Sequence, residues 1–294
     1  MKTSVHEVRS PLSAAIAVSL AIGVLVVAQT VSAAGPAPVG LGTAEPFAVL
    51  AGTGITNTGA TTINGDVGSF PTATETGFAT VVLTGTNHAG DAVTQGAKTD
   101  LTTAYNDAAG RTPATAVAGG TLGGKTLVGG VYSAGGVTLD LTGTLTLDGQ
   151  NDPNSVWVFQ ATSDLITASS SSVVFVNGGQ PCNVFWQVTS SATLGSGSTF
   201  AGTIMALTSI TMDSGVTLNG RALARNGDVT LINDTITRPT CATTTASPSG
   251  SVPNAAFGNP ESSEPIPPML FALTLIGLLA ILAVANVRAA RQRK

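Results

Sequence analysis

Charge is scarce in this chain of 294 residues: Asp, Glu, Lys and Arg together make up 10% of it, against about 25% in an ordinary soluble domain. A charged, disordered chain is excluded, because 43% of the residues are hydrophobic and can build a core. Positive charge is rarer still. Residues 35–241 hold six Lys and Arg against thirteen Asp and Glu, which argues against nucleic acid as a partner, since phosphate binding needs clustered basic side chains. Aromatics reach only 4%, so Val, Leu, Ile and Ala must supply most of the interior.

Catalytic machinery is scarce too. Apart from His6 in the N-terminal segment, the chain offers Cys182, Cys241 and His88, one ligand short of a Cys2His2 zinc site. His88, in the stretch TGTNHAG, reads as a solvated loop histidine. No nucleophile triad, P-loop or dinucleotide fingerprint occurs, and the glycine-rich AGGTLGGK (118–125) lacks the required spacing and helix. Asp213, Asp228 and Asp234 are close enough in sequence to suggest the carboxylate pair of sugar cleavage. Asp213 beside Ser214-Gly215 and Asp234 after Asn233 are, however, ordinary turn positions for aspartate. The chain therefore reads as no enzyme, with neither cofactor nor metal.

Long apolar runs are confined to the two ends. Lys2 and Arg9 precede an apolar run from about Leu12 to Ala28 and small residues at Ala33 and Ala34, the pattern of a signal peptide over residues 1–34. Residues 268–287 carry no charge and are long enough to span a bilayer as a transmembrane helix. Arg288, Arg291, Arg293 and Lys294 follow in a basic tail (288–294) that should stay cytoplasmic. A Ser/Thr/Pro-rich linker, 242–267, precedes the span. Without an LPxTG motif, covalent attachment to a cell wall has no support. The expectation is an exported, cell-surface domain over residues 35–241 that is tethered to the membrane by its C-terminal helix. In an oxidising compartment Cys182 and Cys241 could pair, fastening the last strands to an earlier one, or remain two buried thiols.

What the chain does contain is repetition. SSATLGSGSTFAGTIMA (190–206) is followed 18 residues later by TSITMDSGVTLNGRALA (208–224). Thr193 then falls on Thr211, Leu194 on Met212, Thr199 on Thr217, Phe200 on Leu218 and Gly202 on Gly220. A third partial copy, NGDVTLIND (226–234), brings Thr230 after Thr211. Short alternating runs repeated at this period are how a solenoid is written. Because alternate strand residues point to opposite faces, Ile210, Met212, Val229 and Leu231 should fill the coil, while Ser209, Thr211 and Thr230 point outward. VWVFQATS (156–163) resembles NVFWQVTS (183–190), with Gln160 and Gln187 in equivalent places. DAVTQGAKTDLTTAYNDAAG (91–110) interrupts the strands. It predicts a helix that buries Val93, Ala97, Leu101, Ala104, Tyr105 and Ala108 and stops at Gly110. An amphipathic helix of this length needs an apolar partner, and the open flank of the solenoid would supply one. The stretch 46–70 has the same strand character but no clean register with the C-terminal coils, so it is expected to close the solenoid out of sequential order.

Together, the opening LGTAEPFAVLAGTGITNTGATTINGDVGSFP, the TAYNDAAGR helix end, the WVFQ strand and the run from Asn183 to Thr237 closely resemble the microbial ice-binding proteins that have a discontinuous β-helix. The likeness covers nearly all of 41–241. It implies an all-β-dominated fold, a right-handed, three-faced β-solenoid with one long α-helix alongside, whose flat face binds ice or an ordered water surface through small residues and threonines. Carried onto this sequence, the ice-binding residues are Thr53 and Thr56 of the Thr-Gly-Ile-Thr pattern, with Ser191, Thr193, Ser209, Thr211 and Thr230 as the outward ladder. Asp228 and Arg225 bring charge near the last rung, and Ile166 holds the position of Thr193 one coil earlier. The domain is expected to be monomeric. The competing expectation is a non-catalytic adhesin or structural solenoid that uses the same face for glycan or another surface.

Overall fold

The computed structural model describes residues 35–241. The segments expected to be signal peptide, linker, transmembrane helix and basic tail lie outside the described residues. Among the described residues no helix is long and apolar enough to cross a membrane.

Short alternations become short strands. The N-terminal part supplies β1 (Phe47–Ala51), β2 (Ile55–Thr58), β3 (Thr61–Asn64), β4 (Asp66–Ser69), β5 (Glu75–Thr76) and β6 (Val81–Thr84), followed by α1 (Ala92–Gly110). Then come β7 (Thr115–Ala116), β8 (Thr126–Val128), β9 (Gly130–Ser133), β10 (Leu139–Leu141), β11 (Thr144–Asp148), β12 (Trp157–Ala161), β13 (Leu165–Thr167) and β14 (Ser172–Val176). The repeat itself gives β15 (Val184–Val188), β16 (Ala192–Leu194), β17 (Thr199–Ala206), β18 (Ile210–Met212), β19 (Thr217–Ala224), β20 (Val229–Ile232) and β21 (Thr235–Thr237).

Every paired strand lies parallel to its neighbour, and the pairings define three faces. A narrow face runs β10-β13-β16-β18-β20-β2-β5. A broad face stacks β8, β11 and β14, then the first halves of β17 and β19, then β21, β3 and β6. A third face stacks β7, β9, β12, β15, the second halves of β17 and β19, then β1 and β4. The coils are not stacked in chain order. β1, β2 and β3 sit on β19, β20 and β21, and β4, β5 and β6 then sit on β1, β2 and β3. The N-terminal strands thus complete the stack that the C-terminal coils begin, as their lack of sequential register implies.

Two residues explain why one strand can serve two faces. β17 and β19 each bend at a glycine. Gly202 has φ of 106°, and a β-carbon there would come 2.8 Å from Trp186 Nε1. A β-carbon on Gly220 would meet the Gly202 carbonyl oxygen at 1.9 Å. Only glycine allows the backbones to stack this tightly at the corner.

Inside the coil, aliphatic residues from all three faces close on an aromatic column. Tyr132 stacks on Phe159 (5.4 Å between ring centroids), Phe159 on Trp186 (4.1 Å) and Trp186 on Phe200 (4.8 Å). Scarce aromatics are therefore concentrated where coil stacking superposes them, each burial worth about 1.5–3 kcal/mol. Trp157 and Trp186 donate their indole N–H groups to the carbonyls of Leu127 and Ala201, so burial leaves no orphaned donor.

The helix covers the third face, hereafter the helix face. Asp91 caps it, its carboxylate accepting from Thr94 N at 2.9 Å. Ala97, Leu101, Ala104, Tyr105 and Ala108 are buried as the periodicity requires. Val93 is a correction: it is 47% exposed, and Thr94 takes the inward place in the first turn. Gly68 makes room for it, since a β-carbon there would meet Thr94 Oγ1 at 2.4 Å. Gln160 and Gln187, equivalent in the sequence, both point outward into the helix. Gln160 donates to the carbonyls of Ala108, Ala109 and Arg111, and so satisfies the helix C-terminus. Gln187 donates to the Tyr105 hydroxyl, which in turn donates to the Val188 carbonyl.

Cys182 and Cys241 are joined in a disulfide. Of the two alternatives open in the sequence, the bridged one is present, and it ties the segment after β21 to the turn before β15.

Candidate functional site

With one face under the helix, the narrow and broad faces remain open. On the narrow face the outward central residues align as Asp140, Ile166, Thr193, Thr211, Thr230, Thr56 and Thr76. The expected ladder Thr193, Thr211, Thr230 is therefore real, and out-of-order stacking extends it through Thr56 and Thr76. Ile166 interrupts it as the sequence indicated. Thr53 does not join the column. It lies at the bend before β2, its N–H donating to the Gly227 carbonyl.

The serines of this face are already engaged. Ser191 N donates to Asp164 Oδ1 (3.1 Å), Ser209 N to Ser191 Oγ (3.4 Å) and Ser209 Oγ to Asp228 Oδ1 (2.6 Å). Thr230 Oγ1 donates to Asp228 Oδ2 at 3.1 Å. Desolvation raises the Asp228 carboxyl, but bonds from the Ser209 and Thr230 hydroxyls outweigh it and hold the group below its ordinary value. Ser191 and Ser209 thus line a hydrogen-bonded edge beside the threonine column. The charge anticipated from Arg225 is turned away. Its guanidinium lies 4.7 Å over the Tyr105 ring on the helix side, and Lys98 Nζ donates to the Ala224 and Arg225 carbonyls beside it. Burial and the neighbouring Arg225 charge lower Lys98 to about 7.

The broad face carries a larger array. One file reads Thr144, Ser172, Thr199, Thr217, Thr235, Thr62 and Val82. Two residues further along each strand a second file reads Ala201, Asn219, Thr237, Asn64 and Thr84. Its outward residues on β17, β19, β21 and β3 include no charged group. Thr199, Thr217, Thr235, Thr237 and Asn219 are exposed, whereas Thr193, Thr211 and Thr230 on the narrow face are only half-exposed. The hydroxyls of Thr199, Thr217, Thr235 and Thr62 have no protein partner among the described residues, so they are left to bond water. Strand spacing of about 4.7–4.9 Å and a two-residue repeat of about 6.5–7 Å make this a two-dimensional grid. A β-branched side chain with restricted χ1 fixes a hydroxyl and a methyl at each point.

The sequence contained a signal for this second array, because the repeat superposes Thr199 on Thr217. What it could not show was that Thr235 and Thr62 continue the file across the discontinuity. Two single residues also differ from expectation. His88 is not solvated: it packs against Phe47 at 5.4 Å and lies 3.1 Å from Asp91 Oδ2, helping to seat the start of the helix. Asp234 is more than a turn residue. It is buried inside the corner between narrow and broad faces, where its carboxylate accepts from Val216 N (2.9 Å) and Ile232 N (2.7 Å). Burial raises it to about 7 against those two hydrogen bonds, with Asp213 adding to the rise.

A profile of the ice-binding-like family matches residues 49–237. This chain belongs to the ice-binding-like family. It is 43% identical over 238 residues to the ice-binding protein of Nostoc sp. (strain HG1), covering 81% of this chain and 82% of that one. With the ice-binding protein of a Colwellia species it shares 36% over 234 residues, covering 72% and 88% of the two chains. Among solved structures, an ice-binding protein from an Antarctic biological consortium superposes with a TM-score of 0.67 at 44% identity, covering 70% of this chain and 93% of the other. The Arctic yeast protein LeIBP, whose structure is described as a basis for antifreeze activity, gives 0.65 at 29% identity, over 70% and 96% of the chains. The ice-binding-like likeness thus spans both open faces and the helix-covered one.

Proposed function

We propose that this protein adsorbs to ice and opposes its growth, with the broad face as the contact surface. The observation that carries the choice of face is the uncharged two-file array on β17, β19, β21 and β3, whose file of threonines extends Thr199, Thr217, Thr235, Thr62 with their hydroxyls free for water. The relatives are named ice-binding proteins, and that activity suits such a grid. Hydroxyls hold ordered water at fixed points, and the adjacent methyls deny it other partners. Each contact is weak, but a rigid surface loses little entropy on adsorption, so many small contributions add up. Adsorbed molecules force the ice front to curve between them, which raises the free energy of further growth.

The solenoid is taken as right-handed, the hand that parallel crossovers adopt, and acts without catalytic chemistry. We also propose that the signal peptide (1–34) delivers the domain outside the cell and that residues 268–287 hold it there, so that adsorption attaches or protects the cell surface. The test is growth of single ice crystals in purified 35–241 under a cold-stage microscope. Faceted crystals held unchanged within a freezing gap support the proposal. Round crystals growing at the buffer rate, from folded protein, would contradict it and turn attention to glycan adhesion.

A further inference from the structure

The same coils that place a threonine on the broad face place another on the narrow face. Thr193 and Thr199 share one coil, Thr211 and Thr217 the next, then Thr230 and Thr235, then Thr56 and Thr62. Between the members of each pair lies a corner of small or turn-forming residues: Gly195-Ser196-Gly197-Ser198, Ser214-Gly215, Asn233-Asp234 and Gly59-Ala60. The corner is fixed from within. Asp234 accepts two backbone N–H groups there, Asp234 N donates to Thr61 Oγ1, and Asn233 Oδ1 accepts from Ala60 N. The broad and narrow files therefore belong to one bent, rigid surface.

We infer that the narrow-face column Thr193, Thr211, Thr230, Thr56 and Thr76 is a second ice-contact plane, non-parallel to the first. This rests on the ice-adsorption reading above. Three observations carry it: the column is unbroken over five strands, its neighbouring carboxylate Asp228 is drawn into bonds with Ser209 and Thr230, and the Arg225 charge lies on the helix side. The lower part of the face, with Asp140 and Ile166, falls outside the plane. One molecule would then engage two families of crystal planes, each through its own file and at its own strength. The half-exposure of Thr193, Thr211 and Thr230 makes the narrow face the weaker of the two.

The experiment is to grow a single ice hemisphere in fluorescently labelled 35–241 and record which planes become coated, for wild type, Thr211→Tyr, Thr217→Tyr and the double variant. Circular dichroism and melting checks that all four are folded. The inference predicts that Thr211→Tyr loses one set of coated planes and keeps another, that Thr217→Tyr does the converse, and that the double variant coats none. Identical coating of wild type and Thr211→Tyr would overturn the second plane while leaving the broad-face reading intact. If Thr217→Tyr coats as wild type does and Thr211→Tyr coats nothing, the broad-face reading is the one that fails.

Discussion

β17 and β19 each pass through two regions of opposite character, and the contrast shows how this solenoid divides its labour. Before the bend, on the broad face, the outward residues are Thr199 and Ala201 in one strand and Thr217 and Asn219 in the next. After it, on the helix face, they are Thr203 and Met205, then Arg221 and Leu223, all buried. The inward residues are apolar throughout. Outward chemistry alone changes, and with it the partner: water on one side, α1 and the N-terminal segment on the other. Arg221 shows what covering costs. Burial lowers it to about 10 despite Glu45, and it is retained only with Glu45 O, Glu45 Oε1 and Thr203 Oγ1 as acceptors. The broad face needs no such compensation because its polar groups were never desolvated.

The sharpest way to break the comparison is to remove the bend that separates the two regions. Gly220→Val forces a side chain against the Gly202 carbonyl at 1.9 Å, and should destabilise by more than about 4 kcal/mol, seen as loss of a cooperative thermal transition. Removing the disulfide with Cys182→Ser and Cys241→Ser frees a pair 59 residues apart in sequence. It should cost about 4 kcal/mol by denaturant unfolding if the chain-entropy account of cross-links holds. Gln160→Ala strips the helix face of its bonds to the Ala108, Ala109 and Arg111 carbonyls. A loss of about 1–3 kcal/mol is expected, with hydrogen exchange accelerated in the last turn of α1 and unchanged on β21.

An effect that depends on pH concerns the corner beside the broad face. Asp234 is raised to about 7 by burial, against about 3.9 when unfolded. Its protonation therefore favours the folded state. That contribution is full below pH about 4 and is lost as pH rises through about 7. Asp234→Asn should flatten the decline in melting temperature between those limits without altering the acidic plateau greatly. An unchanged slope in the variant would assign the pH dependence elsewhere.

Much of this architecture was legible in the residues, and the reasons are local. The 18-residue superposition places like side chains in the same strand position, and parallel stacking converts that into the pairs Thr193↔Thr211 and Thr199↔Thr217. The helix follows from its periodicity, and β1 to β3 show their irregular placement by having no register with the later coils. What stayed hidden depends on contacts distant in sequence. The broad file crosses from Thr235 to Thr62, 173 residues apart, through a pairing that no local pattern marks. Ser191 and Ser209 have the alternation of free outward groups, yet adjacent coils bring Asp164 and Asp228 to them. Val93 and Thr94 sit beside each other on the helix, and the space that Thr94 fills is left by Gly68, which is distant in sequence.

The most direct test of the central claim compares Thr217→Tyr with Thr103→Tyr, in purified 35–241, by the freezing gap measured on single crystals. Both replace an exposed threonine, one in the middle of the broad face and one on the outer surface of α1. The account predicts that Thr217→Tyr loses most of the gap at unchanged melting temperature while Thr103→Tyr retains it. Equal gaps in the two variants, both matching wild type, would contradict the assignment of ice contact to the broad face.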